Sequence, residues 1–324
     1  MFQTCSCGIL SGEVRRSGMA MPLHEVLEPL MEGRRKTVRT LARVAKQTRL
    51  DTVALARRIG ELERLIAGED PIEAAARHRT AAWDRARPRV SVIVPLYNHG
   101  DHVRSALDSV ERNRYRDLEL IVVDDASTDL GGDVAQAWMA EHDHLPALLL
   151  RHPVNRGLPA TRNAAIERAR GELVLPLDSD NELFANCLER LVAALDADPG
   201  AAFAYGMLQG VGTEGPETIF GYYGWEPERL TYDNYIDALA LTRRGVFDQV
   251  GGYSTEAELH GWEDYDLWCT LAERGMRGAH VREFVARYRI GAGSMIQFTG
   301  ISIDDAKARL VERHPRLFAE GVAA

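Results

Sequence analysis

The chain reads as an α/β protein built on a mostly parallel sheet with helices on both faces. Three observations predict this. From Arg89 onward, short apolar runs alternate with helical patterns, the rhythm of βαβ units. The runs at residues 90–94 and 118–123 read as strands buried in the sheet. Three of the strands also end on polar residues, where the ligand crevice of an open parallel sheet lies.

Taken in order, residues 90–94 form the first strand, which ends in Pro95-Leu96-Tyr97-Asn98. Asp101 is expected to cap a helix whose core face is Val103, Ala106, Leu107 and Val110. Residues 118–123 are the second strand, ending in Asp124-Asp125-Ala126-Ser127. A helix follows from about Asp133, then a strand over 147–150. Asn155-Arg156-Gly157-Leu158-Pro159 leads into a helix over 160–169. The run Glu172-Leu173-Val174-Leu175-Pro176-Leu177 comes next and stops on Asp178-Ser179-Asp180. A further helix buries Leu188, Leu191, Val192 and Leu195, and a strand spans 201–205. Gly210-Val211-Gly212-Thr213-Glu214-Gly215 fits G-x-G-x-x-G letter for letter. A dinucleotide fingerprint must open a helix, and here Pro216 follows, so the hexad reads as a flexible loop. The last strong helical pattern opens on Glu263 and Asp264, with Leu267, Thr270, Leu271 and the stem of Arg274 as its core face.

Residues 1–87 differ from the rest and read as a helical N-terminal extension. The first twenty carry little pattern and read as disordered. Leu41, Thr48, Leu55 and Leu62 recur every seven residues, with Ala45, Thr52, Ile59 and Ile66 four residues on. This is one apolar stripe on a long helix whose opposite face is basic. Packing on the main domain or on a second copy in a homodimer accounts for it; peripheral attachment to an anionic membrane is the alternative. A second, short helical pattern runs to Trp83. The main domain is expected over 88–300 and a helical tail over 301–324.

Composition narrows the function. The 324 residues are 45% hydrophobic and 27% charged, enough for one large core with an appendage. A formal charge of −9 argues against nucleic acid as a partner. No apolar run reaches membrane-spanning length and no signal-peptide pattern opens the chain, so a cytoplasmic setting is expected. Cys187 and Cys269 fall in apolar helical patterns and read as core residues, while Cys5 and Cys7 have no partner pair for a metal site.

Chemistry concentrates at the strand ends. Asp178 and Asp180 alternate with Ser179, so on a continuing strand they face the same way and repel each other unless a cation lies between them. Hard oxygen ligands of this kind suit Mg²⁺ or Mn²⁺, although a solvated loop would carry the same residues. Glu263 and Asp264 open a helix, where its dipole favours acids and where a fixed carboxylate makes a positioned base. Tyr222, Tyr223 and Trp225 form an aromatic cluster suited either to packing or to sugar faces.

Five of these motifs, in register over residues 89–295, resemble the family 2 glycosyltransferases. They are Val92-Ile93-Val94-Pro95-Leu96-Tyr97-Asn98, Val122-Val123-Asp124-Asp125-Ala126-Ser127, Asn155-x-Gly157-Leu158-Pro159-Ala160-Thr161-Arg162-Asn163, Leu177-Asp178-Ser179-Asp180 and Gly261-Trp262-Glu263-Asp264-Tyr265-Asp266-Leu267-Trp268. The resemblance implies the GT-A nucleotide-diphospho-sugar transferase fold and an inverting, metal-assisted transfer from a nucleotide sugar, a UDP-sugar first. It implies that Pro95, Tyr97, Asp124 or Asp125, and Arg162 hold the nucleoside. Asp125 is the preferred base or ribose contact. Asp178 lies near the ribose, Asp180 ligates Mn²⁺ or Mg²⁺, and Asp264, beside Glu263, is the general base. Trp262 and Trp225 are candidate acceptor contacts. Many members carry a histidine after a Tyr-Arg pair; here Tyr288-Arg289 is followed by Ile290-Gly291-Ala292-Gly293-Ser294-Met295, so Arg287 or Arg289 is expected to cover the diphosphate instead. The acceptor is left open among glycan, lipid-linked glycan, protein and small metabolite. A non-catalytic scaffold working through its N-terminal helix, and a glycoside hydrolase with paired carboxylates, are the competing classes.

Overall fold

The computed structural model describes residues 13–16, 19–22, 76–212, 215–290 and 302–320. The chain divides into two compact units at Glu69/Asp70. In the first, β1 (Glu13–Arg16) pairs antiparallel with β2 (Met19–Pro22), so a stretch expected to be disordered carries a hairpin. The long basic helix, with its dimer and membrane readings, lies outside the described residues, as do Cys5 and Cys7.

The second unit runs β3 (Ala76–Arg79), β4 (Val90–Leu96), α1 (Val103–Glu111), β5 (Leu118–Asp124), α2 (Gly131–Glu141), β6 (Ala147–Arg151), α3 (Leu158–Arg168), β7 (Leu173–Pro176), β8 (Glu182–Leu183), α4 (Cys187–Ala197), β9 (Ala201–Gly212), β10 (Gly215–Phe220), β11 (Ala240–Arg243), α5 (Arg244–Val250), α6 (Glu263–Glu273), β12 (Arg277–Arg289), α7 (Ile303–Arg313) and α8 (Pro315–Glu320). One ten-stranded sheet has the order β3-β6-β5-β4-β7-β11-β9-β12-β8, with β10 attached to β9. β6, β5, β4 and β7 are parallel neighbours and β9 pairs in parallel with β12. β11 is antiparallel to both β7 and β9 and joins the two parallel groups.

Side-chain alternation builds the layers. Val90, Val92 and Val94 of β4, Leu118, Leu120 and Val122 of β5, and Leu173 and Leu175 of β7 pack beneath α1, α2 and α4. Ile93, Ile121, Val123 and Val174 point the other way, toward α3 and α6. Both faces are covered, which is why the central strands tolerate almost no charge. Pro95 fits a central strand because β7 pairs with β4 only as far as Ile93, so no neighbour on that side needs its missing N–H.

The structure corrects several sequence expectations. Residues 76–79 are not helical; they form an edge strand antiparallel to β6, extended by Thr80, whose backbone N–H donates to the Ala147 carbonyl. Asp101 does not cap α1. His102 occupies the cap position without a side-chain hydrogen bond, and the His102 and Val103 N–H groups donate to the His99 carbonyl instead. The glycine hexad is not a free loop, since β9 runs through Gly212 and β10 restarts at Gly215. A Cβ at Gly210 would lie 2.6 Å from Thr218, so that glycine serves close packing across the hairpin. On α6 the core face is Tyr265, Leu267, Trp268 and Leu271, while Arg274 is exposed and its guanidinium donates to the Gln249 carbonyl. Cys187 and Cys269 are buried and free, as expected. Among the described residues no helix is long and apolar enough to cross a membrane.

Candidate active site

The carboxyl ends of β4 and β5 are tied into one rim. Asn98 and Ala126, at those ends, both have positive φ, 54° and 69°. That conformation is strained for any residue with a Cβ and must be held by its neighbours. The Asn98 Oδ1 accepts from the Thr128 N–H at 2.7 Å, and the Asn98 N–H donates to Ser127 Oγ at 3.1 Å. The Asp125 N–H donates to the Leu96 carbonyl at 2.8 Å. This places Tyr97, 46% exposed, on the open side of the rim. Pro95 is buried behind it.

Asp124 and Asp125 are also buried. Asp124 accepts from the Ser127 N–H, and Gly132 approaches it so closely that a Cβ there would lie 2.2 Å from its carboxylate. Asp125 meets Nδ1 of buried His152 at 2.7 Å and accepts from the Arg156 and Gly157 N–H groups at 2.9–3.0 Å. The preferred nucleoside contact is thereby fastened to the loop that enters α3. Arg162, on the first turns of α3, is buried as well, with one terminal nitrogen on Glu263 and the other on Asp178, each at 2.8 Å.

Asp178 and Asp180 follow β7. The turn between them is held by His99, whose Nδ1 lies 2.8 Å from Ser179 Oγ, and by β12, where the Arg289 N–H donates to Asn181 Oδ1 at 2.9 Å. Burial, reinforced by the charge of Asp178, pushes the Asp180 carboxyl up. A divalent cation relieves that repulsion and suits a carboxylate pair that leaves further positions for phosphate oxygens and water. Among the described residues no three His, Cys, Asp or Glu side chains converge as a complete cage. The donor set therefore fits a cation shared with a bound diphosphate, with Asp180 and Asp178 as its candidate protein ligands.

Glu263 and Asp264 open α6 and divide the work. Glu263 is buried between Arg162 and the Gly261 N–H, which donates to it at 2.8 Å. Asp264 is only half-buried; Asn234 Nδ2 donates to it at 3.1 Å and the Tyr265 N–H at 2.8 Å. Burial first, then the Glu263 charge, pushes the Asp264 carboxyl up to about 6.

A cavity of about 440 Å³ joins these groups, with Arg162, Asp178, Trp262 and Asp264 in its wall. Tyr222 and Tyr223 also line it, their rings 4.2 Å apart. Trp225 does not; it packs edge-on against Phe203, 5.1 Å between centroids, and belongs to the core layer. A second cavity of about 490 Å³ lies beside Asp180 and is lined by Glu182, Arg287 and Arg289. Alternation along β12 turns Arg287 and Arg289 into this cavity and Tyr288 into the first. Sequence reasoning missed Asn234, Asp237 and Tyr288. The only signal for the first two was a stretch carrying Asp233, Asn234 and Asp237 ahead of the apolar β11.

Comparison with known proteins agrees with this geometry. Residues 91–251 match the family model described as glycosyl transferase family 2. The chain is 30% identical over 209 residues to the putative teichuronic acid biosynthesis glycosyltransferase TuaG of Bacillus subtilis (strain 168), over 63% of this chain and 80% of the relative. Its fold is similar to that of S. aureus TarS 1-349 in complex with UDP-GlcNAc, with a TM-score of 0.59 at 20% identity over 72% of this chain and 71% of that one. It is also similar to the mannosyltransferase PcManGT from Pyrobaculum calidifontis in complex with GDP-Man and Mn²⁺, with a TM-score of 0.52 at 23% identity over 75% and 76%. With an α/β sheet of this topology and five motifs gathered at its carboxyl edge, the chain belongs to glycosyl transferase family 2 and is a glycosyltransferase.

Proposed function

We propose that the protein transfers a sugar from a nucleotide-diphosphate donor, a UDP-sugar first, to an acceptor hydroxyl with inversion of the anomeric centre. Asp264 is the general base, and Asp180 and Asp178 hold Mn²⁺ or Mg²⁺ with the diphosphate. The observation that carries this reading is Asp264 itself. It is a carboxylate raised to about 6, at a helix start, in the same cavity as Asp178. A group of that basicity is ionised at neutral pH yet takes a proton more readily than an ordinary aspartate. TarS in complex with UDP-GlcNAc, and PcManGT in complex with GDP-Man and Mn²⁺, support a nucleotide sugar and a divalent cation for this chain.

The residues then act in turn. Tyr97 offers an exposed ring at the rim for the nucleoside base, beside Pro95 and above the loop that Asp124 and Asp125 brace. Arg287 and Arg289 face the diphosphate side. A bound divalent cation supplies positive charge against the negative charge that builds on the departing diphosphate. Trp262 and the tyrosines offer apolar faces to the acceptor. Asp264 takes the proton of the acceptor hydroxyl, and that oxygen forms its bond to the anomeric carbon as the carbon–oxygen bond to the diphosphate breaks. The bond's electron pair leaves with the nucleoside diphosphate. Arg162 and Glu263 keep the base and the donor side in register.

The test is nucleotide release from UDP-, GDP- and dTDP-sugars with a panel of glycan acceptors, with and without Mn²⁺, and the anomeric configuration of the product by NMR. Divalent-dependent release with an inverted product is the expected result. A retained configuration overturns the assigned role of Asp264.

A further inference from the structure

We infer that Asp237 is a specificity-determining residue, a carboxylate that accepts hydrogen bonds from hydroxyls of the transferred sugar and selects a neutral hexose over an acidic one. The inference rests on the nucleotide-sugar reading above and narrows its donor. Asp237 lies in the loop between the short 3-10 helix Pro227–Thr231 and β11, a segment outside all five motifs. It lines the 440 Å³ cavity together with Asp178, Asp264 and Tyr288.

Its placement is fixed. One carboxylate oxygen accepts from the Leu239 N–H at 2.8 Å, a local turn that holds the side chain in one orientation. Among the described residues the other oxygen has no hydrogen-bond partner. The charges that act on it are those of Asp178, Asp264 and Arg162. Arg162 has both terminal nitrogens committed to Glu263 and Asp178, so it acts on Asp237 through its charge alone and makes no hydrogen bond to it. The free oxygen therefore faces a cavity between the donor-side carboxylate and the base. The sugar undergoing transfer must pass through that space.

A carboxylate with a free oxygen is a strong acceptor for vicinal hydroxyls, and a ligand hydroxyl is the donor it lacks. The same oxygen, flanked by Asp178 and Asp264, repels a sugar that carries its own carboxylate. Tyr288 adds a second contact. Its ring lies 5.0 Å from Phe220, and its hydroxyl, without a hydrogen bond among the described residues, has Asp237, Asp178, Asp180 and Asp264 as charged neighbours. A neutral phenol in that position presents both a donor and a face to the same sugar.

The test is calorimetric titration near pH 8, where the Asp237 carboxyl is ionised, of UDP, UDP-glucose and UDP-glucuronate, each with Mn²⁺, into the full chain and into Asp237→Asn, with Asp237→Ala as a second variant and melting temperatures recorded for both. Asparagine keeps an oxygen for Leu239 and so preserves the turn. The wild type is expected to favour UDP-glucose over UDP-glucuronate by about tenfold or more. Asp237→Asn should bind UDP within about twofold of wild type, weaken UDP-glucose about tenfold and narrow the ratio between the two sugars. Wild-type affinities and ratio in both folded variants overturn the inference. A wild type that binds none of the three ligands overturns the nucleotide-sugar reading itself.

Discussion

The Arg162 guanidinium and the Glu263 carboxylate meet at 2.8 Å with both side chains only 3% exposed. The same arginine reaches Asp178, also at 2.8 Å. One planar cation thus joins Glu263 to Asp178, the first carboxylate after β7, from positions 101 and 16 residues away in sequence. Removing it leaves two carboxylates without their counter-ion, one of them fully buried. Arg162→Met is expected to destabilise the fold by about 3–5 kcal/mol. Arg162→Lys should restore little, because an ammonium cannot span both partners with a fork. Urea unfolding of the three proteins checks this; equal midpoints would remove the linking role.

Asp264→Asn separates chemistry from binding. The amide keeps the shape and can still accept from the Tyr265 N–H, but it cannot take a proton. Turnover is expected to fall by about 10²–10⁴-fold while nucleotide affinity stays within about twofold. Steady-state kinetics beside calorimetry tests both halves.

Activity and stability should respond to pH in opposite senses. Burial, then Asp178 and then Asp264, pushes the Asp237 carboxyl up to about 7, and Asp264 lies at about 6, both from 3.8. Each group therefore binds its proton more tightly folded than unfolded. Their contribution to stability falls as pH rises from about 4 through about 7, where the folded state must ionise against burial. Asp264 must be ionised to act as the proposed base, so kcat/KM should climb along a limb near pH 6. Asp237→Asn should raise the melting temperature by about 2–4 °C near pH 8, with the gain shrinking toward pH 4. A gain that is constant across this range would contradict the assignment.

The C-terminal helices are fastened to the site helix through Asp266. Its carboxylate meets His314 Nε2 at 2.8 Å and accepts from Arg313 Nε at 2.7 Å, and Arg313 also pairs with Glu256. Burial alone would raise the Asp266 carboxyl, but the hydrogen bonds from His314 and Arg313 bring it below the ordinary value. This contribution is present above the unfolded carboxylate range and is lost as pH falls through the lowered folded value. Asp266→Ala is expected to cost about 3 kcal/mol near neutral pH and much less near pH 3. Hydrogen exchange across residues 303–320 should rise first. Unchanged protection there would show that α7 and α8 are held by packing alone.

Much of the site was legible in sequence because parallel-sheet enzymes gather their chemistry at strand ends. Tyr97, Asp124 and Asp178 are found by asking where an apolar run stops, and Asp264 by asking where a helical pattern begins. The residues that escaped belong to no strand end of the parallel core. Asp237 sits in an irregular loop, and Tyr288 sits on a strand whose alternation sends its flanking arginines into a different cavity. Trp225 looked like an acceptor platform, but its ring fills a gap against Phe203, a distinction that aromatic spacing cannot make. Residues 76–79 looked helical because four residues are too short to separate a 3.6 from a 2.0 period, and pairing with β6 decided the outcome. The burial of Arg162 was also beyond pattern reading, since its two partners lie 16 and 101 residues away.

The central claim is that Asp178 and Asp180 hold a nucleotide diphosphate through a divalent cation. Calorimetric titration of UDP, GDP and dTDP, each with and without Mn²⁺, into the wild type and Asp180→Ala tests it most directly. The account predicts that one nucleotide binds only with Mn²⁺ and that this binding is lost in Asp180→Ala at an unchanged melting temperature. Equal affinity with and without the cation, or full binding by Asp180→Ala, would contradict it.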